Sequence, residues 1–172
     1  MVKGFRFAGI SAGIKKTDAK DLGLIYCEKP AAAAALFTKN RVVAAPVVLG
    51  RQVIKSGKIQ AILVNSGNAN CFTGKKGLDD AMRCSQLLAD TLHISEKSVM
   101  VSSTGVIGQK LPMDQFESGV PQAVKALSTH GLDDFATAIL TTDLVQKVVQ
   151  KQVEINGQTV CITGIAKGSG MI

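Results

Sequence analysis

Aromatic side chains are scarce in this sequence, at 4% of 172 residues, with no tryptophan and a single tyrosine. A core built from it must rest on alanine, valine, isoleucine and leucine. A nucleic-acid platform of interleaved aromatic and basic residues cannot be assembled either. Histidine is rarer still: His93 and His130 stand apart from each other and from the four cysteines, Cys27, Cys71, Cys84 and Cys161. No two cysteines form a C-x-x-C pair, so a zinc site has no support. Isolated thiols among apolar neighbours read as small hydrophobes kept in a reducing compartment. The segment from Met1 to Phe7 lacks an apolar leader, and no run approaches the roughly 18 apolar residues of a membrane span. The expectation is a soluble, cytoplasmic protein without metal or membrane anchor.

What is present suits one globular domain spanning residues 1–172. Hydrophobic residues make up 46% of the chain, and no linker, repeat or low-complexity tract marks a second unit. The net charge is +7, but the lysines are dispersed from Lys15 to Lys167 and do not form a phosphate-tracking stripe. A solvated basic face, or a basic half awaiting an acidic partner, fits better than a nucleic-acid binder.

Periodicity predicts alternating strands and helices, an α/β (α+β) chain. Strands are expected at Gly4–Ala8, at Leu22–Cys27 (closed by Lys29-Pro30), at Ile59–Val64 and at Val99–Val101. Helices are expected from Pro46 to Ser56, from Leu78 to Leu92, and from Met113 to Ile139 with breaks near Pro121 and at His130-Gly131. Ala31–Thr38 fits helix or packed strand equally. Asp79 and Asp80 read as solvated first-turn acids. Asn156-Gly157 between Val148–Ile155 and Gln158–Ile165 is a hairpin signal. The chain then ends on a glycine-rich turn and an apolar pair with no closing element, as though interrupted.

Four short polar stretches could carry chemistry. Asn65–Asn70 is a polar turn after a strand. Ser103–Gly108 follows another strand; its glycines free backbone N–H groups that could hold an oxyanion, or serve only as a turn. Thr141-Thr142-Asp143 closes a helix or presents a hydroxyl. Lys167-Gly168-Ser169-Gly170 lacks the order and following helix of a phosphate loop, leaving Lys167 as a surface lysine or a fixed charge for a carboxylate. These residues do not form a complete catalytic set.

In this order, however, the loops resemble one family, the ornithine acetyltransferases (glutamate N-acetyltransferases) of arginine biosynthesis. The matching stretches are Asn65–Asn70 with Thr73-Gly74, Ser102–Gly108, Ala138–Asp143 and Gly164–Met171, joined earlier by Phe37-Thr38, Arg41 and Ala45-Pro46-Val47. The resemblance implies a layered sandwich like that of N-terminal-nucleophile enzymes, with sheets packed between helices and completed by a β chain. It implies a precursor that cuts itself before a threonine, making this the α chain of an α2β2 heterotetramer. It further implies ping-pong acetyl transfer from N2-acetylornithine to glutamate, with small amino acids as substrates and no cofactor. The resemblance leaves acetyl-CoA as a possible second donor, the substrate that separates the family's bifunctional members from its monofunctional ones. Thr104 and Gly105 match the family's oxyanion hole, and Thr141 and Lys167 its substrate-binding positions. The Asn65–Asn70 loop is expected to support the site from behind. One departure stands out: the family continues Thr-Thr-Asp-Thr-x-Pro-Lys, whereas here Asp143 is followed by Leu144-Val145-Gln146-Lys147. The alternatives are an N-terminal-nucleophile aminopeptidase, whose acyl-enzyme is released by water, and a non-enzymatic basic anion-binding domain.

Overall fold

Alternation of apolar side chains builds the first two strands of the computed structural model, which describes residues 2–170. In β1 (Phe5–Ile10) and β2 (Leu22–Ala32) successive side chains point to opposite faces. Ala8, Leu22 and Leu24 therefore enter one core, while Phe7 and Ile25 enter another. The two strands pair antiparallel, and β2 pairs antiparallel with β3 (Lys58–Asn68). From β3 the chain returns through a long helix to β4 (Val99–Val106), which makes β3 and β4 parallel. The sheet runs in the order β1-β2-β3-β4.

Helices cover both faces. On one lie α1 (Ala45–Val53), begun by Pro46, the 19-residue α2 (Gly74–Leu92) and α3 (Met113–Lys125). Leu49, Cys84, Leu88, Phe116 and Val120 pack there against Leu24, Leu63, Val99 and Val101. On the other lies α4 (Leu132–Ala138), with Phe135 and Ile139 against Phe7, Ile25 and Val64. The Phe7 and Phe135 rings are tilted, with centroids 6.3 Å apart. A separate antiparallel pair, β5 (Lys147–Ile155) and β6 (Gln158–Ala166), is joined at Asn156-Gly157. Both turn residues have positive φ, 50° and 74°, as the hairpin turn with the matching twist requires. The α/β class is thus observed, with the four-stranded sheet between helices.

Several boundaries differ from the periodicity. β2 does not stop at Lys29-Pro30: its register shifts between Tyr26 and Ala31, so the proline sits in an irregularity and the strand resumes. Ala33–Asn40 is neither helix nor strand. Helix α2 begins a turn early, at Gly74, which places Asp80 inside it, 3% exposed and paired with Lys76. Helix α3 continues through Pro121, because Phe116, Val120 and Ala123 on its buried stripe hold it to the sheet. Among the described residues no helix is long and apolar enough to cross a membrane.

Candidate functional site

The polar stretches read as loops are in fact the ends of two paired strands. β3 runs on through Asn65–Asn68 and β4 through Ser103–Val106, with Ser66 opposite Thr104 and Gly67 opposite Gly105. Gly105 has φ +136°, and a methyl group on it would lie 2.3 Å from the Gly67 carbonyl carbon. Only glycine accommodates both the left-handed backbone and that approach.

The asparagines hold this end together. Asn65 and Ser66 are buried; the Asn65 side-chain amide donates to the Asn68 carbonyl (2.8 Å), and the Ser66 hydroxyl donates to the Ala138 carbonyl at the end of α4 (2.6 Å). Asn68 Nδ2 donates to the carbonyls of Gln109 and Lys110, and its Oδ1 accepts the Asn70 N–H. Asn70 in turn bonds the Gly77 carbonyl and the Thr73 hydroxyl at the start of α2. The side-chain N–H donors of all three asparagines are thus given to backbone carbonyls, which satisfies buried polar groups.

Three of the residues singled out in the sequence meet at one nitrogen. Lys167, just after β6, places Nζ 2.8 Å from Thr104 Oγ1 and 2.9 Å from Thr141 Oγ1. Thr104 is at the end of β4, and Thr141 follows α4. Because each hydroxyl oxygen accepts from the ammonium, each O–H remains a donor for something else. Gly105 adjoins Thr104 along the backbone.

Asp143 braces this arrangement. Its carboxylate pairs with Lys147 and accepts the Gly168 N–H at 2.7 Å, while Thr142 and Ser169 join through their hydroxyls at 3.0 Å. The Thr141–Asp143 and Lys167–Ser169 turns are thereby zipped together. The Lys147 hydrogen bond, then the Gly168 N–H, hold the Asp143 carboxyl at about 2, well below the usual range. The Asp143 side chain is sealed from solvent, and its second oxygen, Oδ2, has no hydrogen-bond partner among the described residues. Lys147, four positions after the aspartate, stands where the resemblance puts the lysine of Thr-x-Pro-Lys, and here it pairs with Asp143. Met171, at the end of the last motif, lies outside the described residues.

A cleft of about 570 Å³ opens beside the cluster, lined by Lys15, Gly67, Gly105, Gln109, Thr141 and Thr142 among others. A cavity of about 650 Å³ between α1 and the start of α2 is larger but apolar, with Val43, Val48, Phe72 and Leu78 on its walls. Thr73 and Lys75 are the polar residues of its lining, and none of Lys15, Gln109, Thr141 and Thr142 reaches it. Among the described residues no group of His, Cys, Asp and Glu could hold a metal ion.

Sequence reading missed two residues. Lys15, in the loop between β1 and β2, is half-buried and donates to the carbonyls of Lys20 and Leu140, 2.9 Å each. Burial lowers its pKa, the Asp21 charge raises it, and the positive charge of Lys167 lowers it further. Asp21, fully buried, accepts three backbone N–H groups from that loop. Neither belongs to a short motif; a lone aspartate beginning an apolar run gave the only hint.

Known proteins share this chain's sequence and shape. The model of the ArgJ family matches residues 6–172. An arginine biosynthesis bifunctional protein ArgJ from Synechocystis is 50% identical over 171 residues, and its counterpart from Caldanaerobacter subterraneus is 49% identical over 170. These alignments take in 99% of this chain but only 41% and 42% of those proteins, so the chain spans about two fifths of the relatives' length. A crystal structure of the Bacillus halodurans protein of that name superposes with a TM-score of 0.93 at 49% identity, covering 99% of this chain and 90% of that one. Ornithine acetyltransferase from Mycobacterium tuberculosis, crystallised with ornithine, superposes at 0.92 with 40% identity, covering 99% and 91%. With the same fold, relatives about half identical across 99% of it and a family match over nearly its whole length, this chain belongs to the ArgJ family.

Proposed function

We propose that residues 1–172 form, as one domain, the α chain of an acetyltransferase that moves acetyl from N2-acetylornithine to glutamate in the cytoplasm. The carrying observation is the Lys167 ammonium joining Thr104 and Thr141 beside an open cleft. The nucleophile is an N-terminal threonine of a β chain cut from the same precursor, and two such pairs form an α2β2 heterotetramer. The lengths of the relatives support the cut: this chain covers 41% of a curated relative but 90% of a crystallised chain.

The chemistry follows from the groups present. The β-chain threonine oxygen attacks the acetyl carbonyl, and its own α-amine, with a pKa of about 7.7–8.0, takes the proton. The Thr104 hydroxyl and the Gly105 N–H receive the oxyanion. Donation from Lys167 to Thr104 Oγ1 polarises that O–H and strengthens it as a donor. Collapse of the tetrahedral intermediate breaks the C–N bond, the amine takes a proton and ornithine leaves. The glutamate amine then attacks the threonine ester, a second oxyanion forms in the same place, and N-acetylglutamate departs. Lys167 and Thr141 bind substrate, the lysine facing a carboxylate. No cofactor takes part; the relatives' designation as bifunctional supports acetyl-CoA as a second donor.

The test is acetyl transfer by the full-length protein. Thr104→Ala should lower kcat about 100-fold or more, the effect of losing one oxyanion donor, with subunit assembly unchanged. Lys167→Ala should weaken substrate binding and raise KM. Unaltered kinetics in both variants would remove these residues from the site, and release of free acetate with no transfer would make the protein a hydrolase.

A further inference from the structure

The loop between β1 and β2 contains no regular structure from Ser11 to Asp21, yet one buried carboxylate orders it. Asp21 Oδ1 accepts the Ala12 N–H at 2.7 Å, and Oδ2 accepts those of Ile14 and Lys15 at 2.6 and 2.8 Å. Its own backbone is tied on both sides, the N–H to the Ile10 carbonyl and the carbonyl to the Ser66 N–H on β3. A buried carboxylate is retained at low cost only when its lone pairs are filled this way.

The product of this clamp is the placement of Lys15. Its stem lies over Gly67, where a methyl group would meet Lys15 Cγ at 3.0 Å. Gly67 is the partner of Gly105 in the sheet. Its ammonium reaches the Leu140 carbonyl, one peptide before Thr141. One side chain therefore touches both supports of the cluster, the strand pair carrying Thr104-Gly105 and the turn carrying Thr141. Two of its three N–H groups are committed to carbonyls, which marks it as a brace and not a substrate ligand.

We propose that Lys15, locked by Asp21, is a positioning residue that sets the Thr141 turn against the Gly67–Gly105 strand pair and so aligns the acetyl-transfer site. This rests on the function proposed above. The full-length protein is tested with Lys15→Met, which keeps the apolar stem and removes the ammonium, with Lys15→Arg, and with Asp21→Asn. Lys15→Met should lower kcat/KM about tenfold or more for acetyl transfer, the scale of misplaced catalytic groups, while the thermal midpoint stays near that of the wild type. Lys15→Arg should recover kcat/KM to within a few-fold. Amide hydrogen exchange across residues 140–143 should quicken in Lys15→Met. Asp21→Asn should reproduce both effects, and its failure to fold would leave the two Lys15 variants to decide. Unchanged kcat/KM in Lys15→Met, or no recovery with arginine, overturns the proposal. If the wild-type protein transfers no acetyl group, the proposed function falls. The exchange rates then decide the positioning role alone, and unchanged rates at 140–143 overturn it.

Discussion

Cys84 faces inward from α2, 2% exposed, with its sulfur 4.0 Å from the Met113 sulfur on α3. Burial first, and the Asp80 charge one turn away second, push its thiol up to about 12. The unfolded chain ionises this group near its ordinary value of 9.0, so the native state holds the proton more tightly. Its contribution to stability is complete below that value and declines as pH rises from about 9 toward about 12, roughly tenfold in the unfolding constant per pH unit. Urea unfolding of the wild type and Cys84→Ala at pH 8 and at pH 10.5 checks this: the wild type's advantage should shrink at the higher pH. A constant difference would mean that the thiol ionises freely. Asp143 runs the opposite way, since its depressed carboxyl stabilises above its unfolded range and loses that effect as pH falls toward about 2. That a cysteine among apolar residues would be inert was legible in sequence. The burial of Lys15 was not, because a lysine's environment is set by which distant carbonyls the fold brings to it.

Elements were legible where the signal was local and faded where packing decided. Asn156-Gly157 supports its turn with its own backbone preferences, so the hairpin could be read directly. The ends of β3 and β4 are polar and resembled loops, and they remain strands because parallel pairing and asparagine-to-backbone bonds satisfy them. Pro121 is the opposite case, a local break signal overruled. It lies inside α3, is exposed, and deprives the helix of one N–H donor while Val120 and Ala123 beside it are buried. The helix thus persists despite an intrinsic penalty of about 3 kcal/mol relative to alanine. Pro121→Ala should stabilise the protein by about 1–3 kcal/mol on that scale, since the exposed ring contributes little packing. Thermal unfolding checks it, and a lower midpoint would show that proline is holding α3 in a shape that alanine relaxes.

At the scale of the molecule, the two sheets stand in different conditions. The four-stranded sheet is covered on both faces, whereas β5 and β6 pair with each other and meet the body chiefly through Ile165, which packs near Phe7, Phe135 and Ile139. Their register puts Val149, Val153, Ile155, Val160 and Ile162 on one face. That face is open: Val149 is 70% exposed and Ile162 54%. A two-stranded hairpin is marginal by itself in water, and an uncovered apolar face is more than a solvated strand pair needs. Yet β6 delivers Lys167 to Thr104 and Thr141, so the alignment of the cluster depends on this weakly supported element. The proposed β chain would complete the fold by covering that face. Hydrogen exchange should therefore show β5 and β6 amides opening well before those of β1–β4 in the 172-residue chain alone, and markedly slower in the full-length protein. Equal protection of both sheets in the isolated chain would mean that the hairpin is self-sufficient. Lys167 would then be held in place without the rest of the protein, and the case for a sheet completed by a second chain would lose its physical support.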